Sequence, residues 1–292
     1  MSYEVKHQAV VYWVITEFCN FSCAYCIANS KGRGVLYAPN HDDFLYYNDK
    51  QEYIKMDVQK LMSTLDKSGK IFKFMVSGGE PFYIENAVEL FSALCTKHYL
   101  EIHSNFSSPK IPELLRRIDP QRINYIHASL HIEELLRHNL LNQYIENFLL
   151  CKDAKIPIEA VVIGHPRALK QADFYRDFFG KKGINVTFDH YIGECDGKIY
   201  PDSYTPEELS YINDDDNGDT DDYESRGKLC NASYNCFAAN FAGDLTPCYY
   251  IDKNCGNLFE EIIFNNTLIK CPIEKCYDPM FKQEADIFPL IR

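Results

Sequence analysis

Three cysteines in one short loop constrain this chain more than any other feature of its sequence. Cys19, Cys23 and Cys26 have the spacing CxxxCxxC and follow an apolar run, residues 10–15, that predicts a β-strand. Thiolates at this spacing suit a 4Fe-4S cluster, whereas a structural zinc site normally takes four protein ligands. The loop therefore predicts a cluster with three protein ligands and one open iron.

A glycine-rich turn, Ser77-Gly78-Gly79-Glu80-Pro81, follows a second predicted strand over residues 71–76. Together the two motifs resemble the signatures of radical S-adenosylmethionine (SAM) enzymes, in which an aromatic residue, here Tyr25, precedes the last cysteine. The resemblance implies that the three cysteines hold the cluster and that its open iron binds the amino and carboxylate groups of SAM. It also implies reductive cleavage of SAM to a 5′-deoxyadenosyl radical, so that the cofactor carries the hard chemistry.

Charge and composition argue against several other classes of protein. The net charge is −12 and no basic tract is present, which disfavours sequence-independent binding to nucleic acid. The sequence has no signal-like N-terminal segment and no apolar run near the ~18 residues of a membrane span. We therefore expect a cytoplasmic protein without a nucleic-acid or membrane partner, in which twelve cysteines indicate metal or redox chemistry.

Short apolar runs alternate with longer amphipathic segments along the first two thirds of the chain, which predicts a parallel α/β sheet. The segment at 132–154 is predicted to form one long helix. Six β/α units resemble the partial (β/α)6 barrel of radical SAM cores, and ligands of such sheets gather at the carboxyl ends of the strands. The six predicted strands cover residues 10–15, 71–76, 100–103, 123–130, 158–163 and 184–189.

Polar residues at these strand ends are candidates for contacts with SAM. Gly78 and Gly79 lack a Cβ atom and let the backbone approach a ligand closely, and the resemblance implies that their turn binds the amino group of SAM. Glu80 either assists that contact or braces the turn. The resemblance places Asn105 and Ser129 near the ribose or carboxylate, although capping of a strand end explains them equally well.

Further cavity candidates are Tyr25 in the cysteine motif and residues at or after the ends of the fifth and sixth predicted strands. An adenine-lining role is the alternative to an ordinary core role for the apolar residues among them. These candidates are Tyr25, Val162, Ile163, Gly164, His190, Tyr191 and Glu194. His131 lies beside Ser129, and for it, as for Ser129, a ligand contact and capping of the strand end are the alternatives.

The last part of the chain combines six more cysteines with a hairpin signal. A Gly-Asp pair at Gly243 lies between apolar residues, and Cys248 follows it. The segment resembles the SPASM/twitch extension of radical SAM enzymes, in which a β-hairpin and a following helix hold auxiliary 4Fe-4S clusters. Because only Cys271 and Cys276 follow the hairpin region, the resemblance favours the twitch form with one auxiliary cluster.

The resemblance implies that this cluster draws its ligands from Cys230, Cys236, Cys248, Cys271 and Cys276. Cys230 and Cys248 are the firmest members, one or both of Cys271 and Cys276 close the site, and Cys236 is either a ligand or a bystander. Cys255 is a weaker candidate. A structural zinc site is the alternative, since four cysteines also suit tetrahedral zinc.

The expected organisation is a radical SAM core over residues 1–195, an acidic linker over 196–226 and a cysteine-rich extension over 227–292. In the linker, the spacing from Asn213 to Glu224 is close to that of a calcium-binding loop, but a solvated acidic loop explains it more simply.

By resemblance, we expect an enzyme that abstracts a hydrogen atom from a peptide or from a small molecule such as a sugar or an alcohol. An electron donor such as flavodoxin or ferredoxin would supply the electron. The alternative is a non-catalytic iron-sulfur or zinc binding module that keeps the fold.

Overall fold

A computed structural model describes residues 7–26, 55–212, 225–274 and 276. The acidic run at 213–224 and the Gly- and Tyr-rich segment near residues 31–52 lie outside these ranges. Strands of the main sheet are β1 (Ala9–Thr16), β2 (Phe72–Gly78), β3 (Tyr99–Ser104), β4 (Ile123–Ser129), β5 (Ile158–Ile163), β6 (Val186–Asp189), β10 (Cys236–Ala239) and β11 (Leu245–Thr246). Two-residue and three-residue strands outside it are β7 (Gly193–Cys195), β8 (Lys198–Tyr200), β9 (Leu229–Cys230), β12 (Gly256–Asn257), β13 (Glu261–Ile262) and β14 (Ile269–Lys270).

The main sheet has the order β11-β10-β1-β2-β3-β4-β5-β6. Strands β1 to β6 are parallel to their neighbours and follow one another in sequence order, as expected of successive β/α units. All six strands predicted from the sequence are present. The architecture is a mixed α/β fold with an open sheet, which confirms the predicted partial barrel.

The helices between the strands agree with the prediction except at one break. Residue 139 interrupts the long helix predicted at 132–154, because Asn139 adopts a left-handed conformation with φ of 57°, which asparagine tolerates better than most residues. The predicted single helix is therefore wrong. The helices are α1 (Val58–Ser68), α2 (Ala87–Leu94), α3 (Ile111–Arg117), α4 (Ile132–Arg137), α5 (Leu141–Asp153), α6 (Pro166–Leu169), α7 (Ala172–Gly180) and α8 (Pro206–Leu209).

The two faces of the sheet differ sharply in polarity. Residues such as Trp13, Phe74 and Ile102 point towards the helices and belong to the main hydrophobic core. Because side chains alternate along a strand, their neighbours point to the opposite face, which we name the inner face. On β1 this face carries apolar residues such as Val10, on β2 it carries Met75 and Lys73, and on β3 to β5 it carries charged and polar side chains.

The predicted hairpin of the extension forms, but it joins the core sheet. β10 pairs in parallel with β1, from Val10 opposite Cys236 to Trp13 opposite Ala239, and the Trp13 indole donates a hydrogen bond to Asn240 O at 2.9 Å. The helix predicted to follow the hairpin is absent from residues 225–274. A two-stranded ribbon of β12 and β13 stands there instead.

The first half of the predicted linker packs on the core. The boundary proposed at residue 195 falls inside the β7–β8 hairpin. Beyond it, the buried Tyr204 hydroxyl donates to Gly164 O at 2.8 Å and accepts from Tyr191 N at 2.7 Å. Residues 196–212 are thus anchored to the carboxyl ends of β5 and β6.

The sequence also predicted that the cysteines serve metal or redox chemistry and that no segment crosses a membrane. All twelve cysteines are free thiols. Within the described ranges, none of the helices has the length and apolar character that crossing a bilayer requires.

Candidate active site

The three motif cysteines lie on one loop, residues 17–26, which follows β1 directly and which we name the cysteine loop. The loop folds back on itself, since Phe21 N donates to Cys19 Sγ at 3.4 Å and Cys26 N donates to Cys23 O at 3.1 Å. Burial, with a smaller contribution from the neighbouring motif cysteines, raises the pKa of the Cys19 and Cys23 thiols to about 12. The bare thiols are therefore neutral, and a bound metal would have to supply the positive charge that stabilises thiolates here.

The glycine-rich turn packs directly against this loop. Gly79 N donates to Thr16 O at 2.7 Å, and Glu80 N donates to Phe18 O at 2.6 Å. A Cβ atom on Gly79 would lie 2.0 Å from Phe18 O, and one on Gly78 would lie 2.2 Å from Thr16 O. The close approach expected at these glycines is therefore an approach to the cysteine-loop backbone, which joins the two motifs into one unit.

Glu80 braces the ends of two neighbouring strands. Its carboxylate is 2% exposed and accepts from Phe82 N, Asn105 N and the Ser104 hydroxyl at 3.0, 2.7 and 2.8 Å. Burial raises the pKa of Glu80 to about 7, and the three donors oppose that rise. Of the two roles predicted for Glu80, these contacts favour bracing.

Asn105 connects the end of β3 to the cysteine loop. Its amide nitrogen donates to Asn20 Oδ1 at 2.8 Å and lies 3.9 Å from Cys19 Sγ, while its oxygen accepts from the Ser107 hydroxyl at 2.7 Å. The side chain is 4% exposed. These contacts assign Asn105 to holding the first cysteine, and its predicted contact with SAM stays a prediction.

The inner face carries a row of polar side chains, of which the sequence analysis named only Ser129. Lys73 Nζ lies 3.6 Å from Glu101, whose other oxygen lies 3.2 Å from His103 Nε2. The His103 ring stacks on His127 with centroids 4.9 Å apart, and His127 Nδ1 lies 3.1 Å from the Ser129 hydroxyl. We name Lys73, Glu101, His103, His127 and Ser129 the inner-face row.

The protonation state of this row follows from its burial. Burial, together with the adjacent His103, lowers the pKa of His127 to about 3, so His127 is neutral at neutral pH. The row can accept or donate hydrogen bonds there without a net charge on His127. Its sequence signal was the alternation of polar and apolar residues in strands of a parallel sheet, where near-continuous apolar runs are usual.

A cavity of about 270 Å³ opens next to the last cysteine of the loop. Tyr25 lines it and contacts His131, with the phenol 3.0 Å from His131 Nδ1, and its ring centroid lies 6.0 Å from that of His165. Burial raises the pKa of the Tyr25 phenol and lowers that of His131 to about 4. Of the other cavity candidates, Val162, Ile163, Tyr191 and Glu194 line this space, and Gly164 and His190 are not among the lining residues.

Four extension cysteines gather at the opposite end of β1. Cys236 and Cys248 are buried together with apolar inner-face residues of β1 and β2 in a small hydrophobic core. Burial, with smaller contributions from the nearby Cys230 and Cys276, raises the pKa of Cys248 to about 12.

The two remaining candidates are placed differently. Cys271 Sγ lies 3.9 Å from Ile273 O, and its backbone is held by Lys228, while Cys255 belongs to the main core.

Both sets of thiols suit iron-sulfur chemistry. Among the described residues, no three His, Cys, Asp or Glu side chains converge as ligands of a single metal ion. A cubane does not require such convergence, because each of its irons takes its own thiolate. Beside the extension cysteines, the buried side-chain amide of Asn231 has no hydrogen-bond partner among the described residues, and its Nδ2 donor suits the sulfurs of a cluster.

The sequence of residues 13–172 matches the model of the radical SAM superfamily, and this match spans more than half of the chain. The chain therefore belongs to the radical SAM superfamily. SAM and a SAM-binding 4Fe-4S cluster are the cofactors of this family.

Solved structures extend the likeness of the fold beyond the core. SuiB from Streptococcus suis, bound to the precursor peptide SuiA, shares 13% identity at a TM-score of 0.56, and the match covers 89% of this chain and 65% of SuiB. The enzyme anSMEcpe, bound to AdoMet and the Cp18Cys peptide, shares 16% identity at a TM-score of 0.53 over 87% of this chain and 78% of its own. Comparison with curated proteins gives no match.

Proposed function

We propose that this protein cleaves SAM reductively and uses the resulting 5′-deoxyadenosyl radical to abstract a hydrogen atom from its substrate. The observation that carries the proposal is the packing of the glycine-rich turn on the cysteine loop, beside the cavity lined by Tyr25. When bound, the cluster supplies the electron that breaks a C–S bond of SAM. A non-catalytic binding module is the alternative, and a fold alone does not decide between them.

The chain's own residues would position SAM and shield it from water. Cys19, Cys23 and Cys26 would hold the cluster, Gly78 and Gly79 would present backbone groups to the amino end of SAM, and Tyr25 would pack against its adenosine. We retain Asn105 and Ser129 as proposed SAM contacts near the ribose or carboxylate.

A peptide substrate is favoured over a sugar or an alcohol. SuiB is seen with a precursor peptide and anSMEcpe with a peptide, and the likeness of both to this chain is one of fold. The inner-face row offers hydrogen-bond partners to the polar groups of a peptide. We propose a flavodoxin or a ferredoxin as electron donor and the cytoplasm as the location, since its reducing conditions keep such thiols free.

Iron content and SAM turnover test this function. Anaerobically reconstituted protein is expected to bind about eight irons per chain, four for each cubane, and to convert SAM to 5′-deoxyadenosine only with dithionite present. Quantified iron, sulfide and zinc, with chromatography of the nucleoside, give the readout. A loaded first cluster without any SAM cleavage would contradict the proposal and favour a binding module.

We further propose that Cys230, Cys236, Cys248 and Cys276 hold one auxiliary cluster. Replacing Cys230 and Cys248 by alanine is expected to lower the iron content from about eight to about four per chain. SAM cleavage by the first cluster is expected to persist. Replacing Cys255 by alanine is the matched control and is expected to retain all the iron, whereas zinc in place of the lost iron in unaltered protein would turn the site into a structural zinc site.

A further inference from the structure

A buried carboxylate holds the cysteine loop from the side opposite the glycine-rich turn. Glu134 on α4 is 2% exposed, and its Oε2 atom accepts a hydrogen bond from Ser22 N at 3.1 Å across 112 positions of sequence. Ser22 directly precedes Cys23, the middle cysteine of the motif. The contact therefore fixes the backbone at the centre of the loop.

Two basic groups and a ring contact hold Glu134 in this orientation. Arg137 Nη1 lies 2.5 Å from Glu134 Oε1, and His138 Nε2 lies 3.5 Å from Oε2. The His138 ring also stacks on Phe21 of the cysteine loop, with centroids 5.6 Å apart. We name Glu134, Arg137 and His138 the latch.

The helical spacing of α4 brings the latch together. His138 N donates to Glu134 O at 2.9 Å, and residues four positions apart lie on one face of a helix, so Glu134 and His138 face the cysteine loop together. The left-handed Asn139 follows the latch directly and ends this helical stretch before α5 begins.

A buried carboxylate is costly unless it is paired and hydrogen bonded. A charge-assisted hydrogen bond to a backbone amide is about twice as strong as a neutral one. If position 134 only had to fill space in the core, an apolar side chain would do so without the free-energy cost of burying a carboxylate. The chain instead places a charge where it orders the backbone N–H next to a cluster ligand.

We propose that Glu134 is a positioning residue that keeps the cysteine loop in the conformation required to retain the SAM-binding cluster. The proposal rests on the proposed function, because it needs a cluster on Cys19, Cys23 and Cys26. Glu134 acts through Ser22 and does not touch SAM or the metal.

The test compares full-length Glu134→Ala and Glu134→Gln with wild type after anaerobic reconstitution. The readout is the rate at which excess EDTA abolishes the part of the reduced EPR spectrum that changes on addition of SAM, because only a cluster with an open iron responds to SAM. Glu113→Ala is the matched control, since it removes a helix carboxylate from an exposed ion pair with Arg117. Thermal melts followed by circular dichroism report folding.

Glu134→Ala is expected to lose the SAM-responsive signal roughly tenfold faster than wild type, as befits a lost hydrogen bond to a charged group. Glu134→Gln keeps an acceptor for Ser22 N and is expected to stay within about threefold of wild type. Glu113→Ala is expected to match wild type.

Two outcomes overturn the proposal separately. Equal loss rates for Glu134→Ala and Glu113→Ala, with a cluster present in both, would overturn the positioning role and leave the proposed function standing. An equal change in the rate of signal loss in Glu134→Ala and Glu134→Gln would also overturn it. Only Glu134→Gln keeps an acceptor for Ser22 N, so equal rates would show that this acceptor does not matter. A wild-type protein without any SAM-responsive cluster would instead overturn the proposed function.

Discussion

Cleavage of SAM is expected to fall to the background level when Cys19, Cys23 and Cys26 are replaced together by alanine. Each iron of a cubane needs its own ligand, and the loop offers no other thiol in place of the three that are removed. About four of eight irons are expected to disappear with the activity, while the auxiliary cluster stays. The measurements are iron per chain and 5′-deoxyadenosine formed with dithionite.

The control for this variant removes cysteines that lie elsewhere in the same core. Cys95 and Cys151 are buried, and their replacement by alanine leaves both proposed cluster sites intact. That double variant is expected to retain the iron and the SAM cleavage. Cleavage that survives in the triple variant at the wild-type rate would remove the cysteine loop from the mechanism.

The parts of this site that the sequence predicted are the ones that local chemistry specifies. The cysteine spacing, the glycine pair and the Gly-Asp hairpin signal each lie within ten residues, so one segment contains the whole pattern. The six strands were also predicted, because apolar runs between helical segments leave few alternatives.

The features that escaped prediction depend on pairs far apart in sequence. The contact of Ser22 with Glu134 spans 112 positions, and that of Trp13 with Asn240 spans 227. No local pattern marks either partner, since a glutamate on a short helix is ordinarily solvated. The pairing of β10 with β1 is likewise a tertiary choice, and it places Cys236 and Cys248 against the inner face of the core.

Because β10 pairs with β1, the two groups of cysteines lie near opposite ends of the same strand, β1. The cysteine loop follows the carboxyl end of β1, and Cys236 is opposite Val10 near its amino end. At ~3.3 Å per residue, the strand separates the two regions by roughly 20 Å. The inner-face row lies on strands β2 to β4 beside β1, so a substrate bound there would lie between the radical source and the proposed auxiliary cluster.

Gly79→Ala is expected to abolish SAM cleavage and to destabilise the protein. The new Cβ would lie 2.0 Å from Phe18 O, 2.3 Å from Phe18 C and 2.9 Å from Cys19 N, and these are backbone atoms that no side-chain rotation can move. Relief requires separation of the turn from the cysteine loop, which breaks the bonds from Gly79 N and Glu80 N. Each buried group left unpaired costs about 1–3 kcal/mol, so a loss of several kcal/mol is expected in urea unfolding.

Gly180→Ala separates this local clash from a general effect of replacing glycine. A Cβ atom on Gly180, at the end of α7, meets no heavy atom within 4 Å. Because the unfolded chain loses conformational freedom, this control is expected to be unchanged or stabilised by about 0.4–1 kcal/mol. If Gly79→Ala unfolded at the same urea concentration as wild type and still cleaved SAM, the two motifs would not work as one unit. A Gly79→Ala protein that folds but fails to cleave SAM would show that the packing of the glycine-rich turn on the cysteine loop positions the cluster, in addition to any contribution to folding.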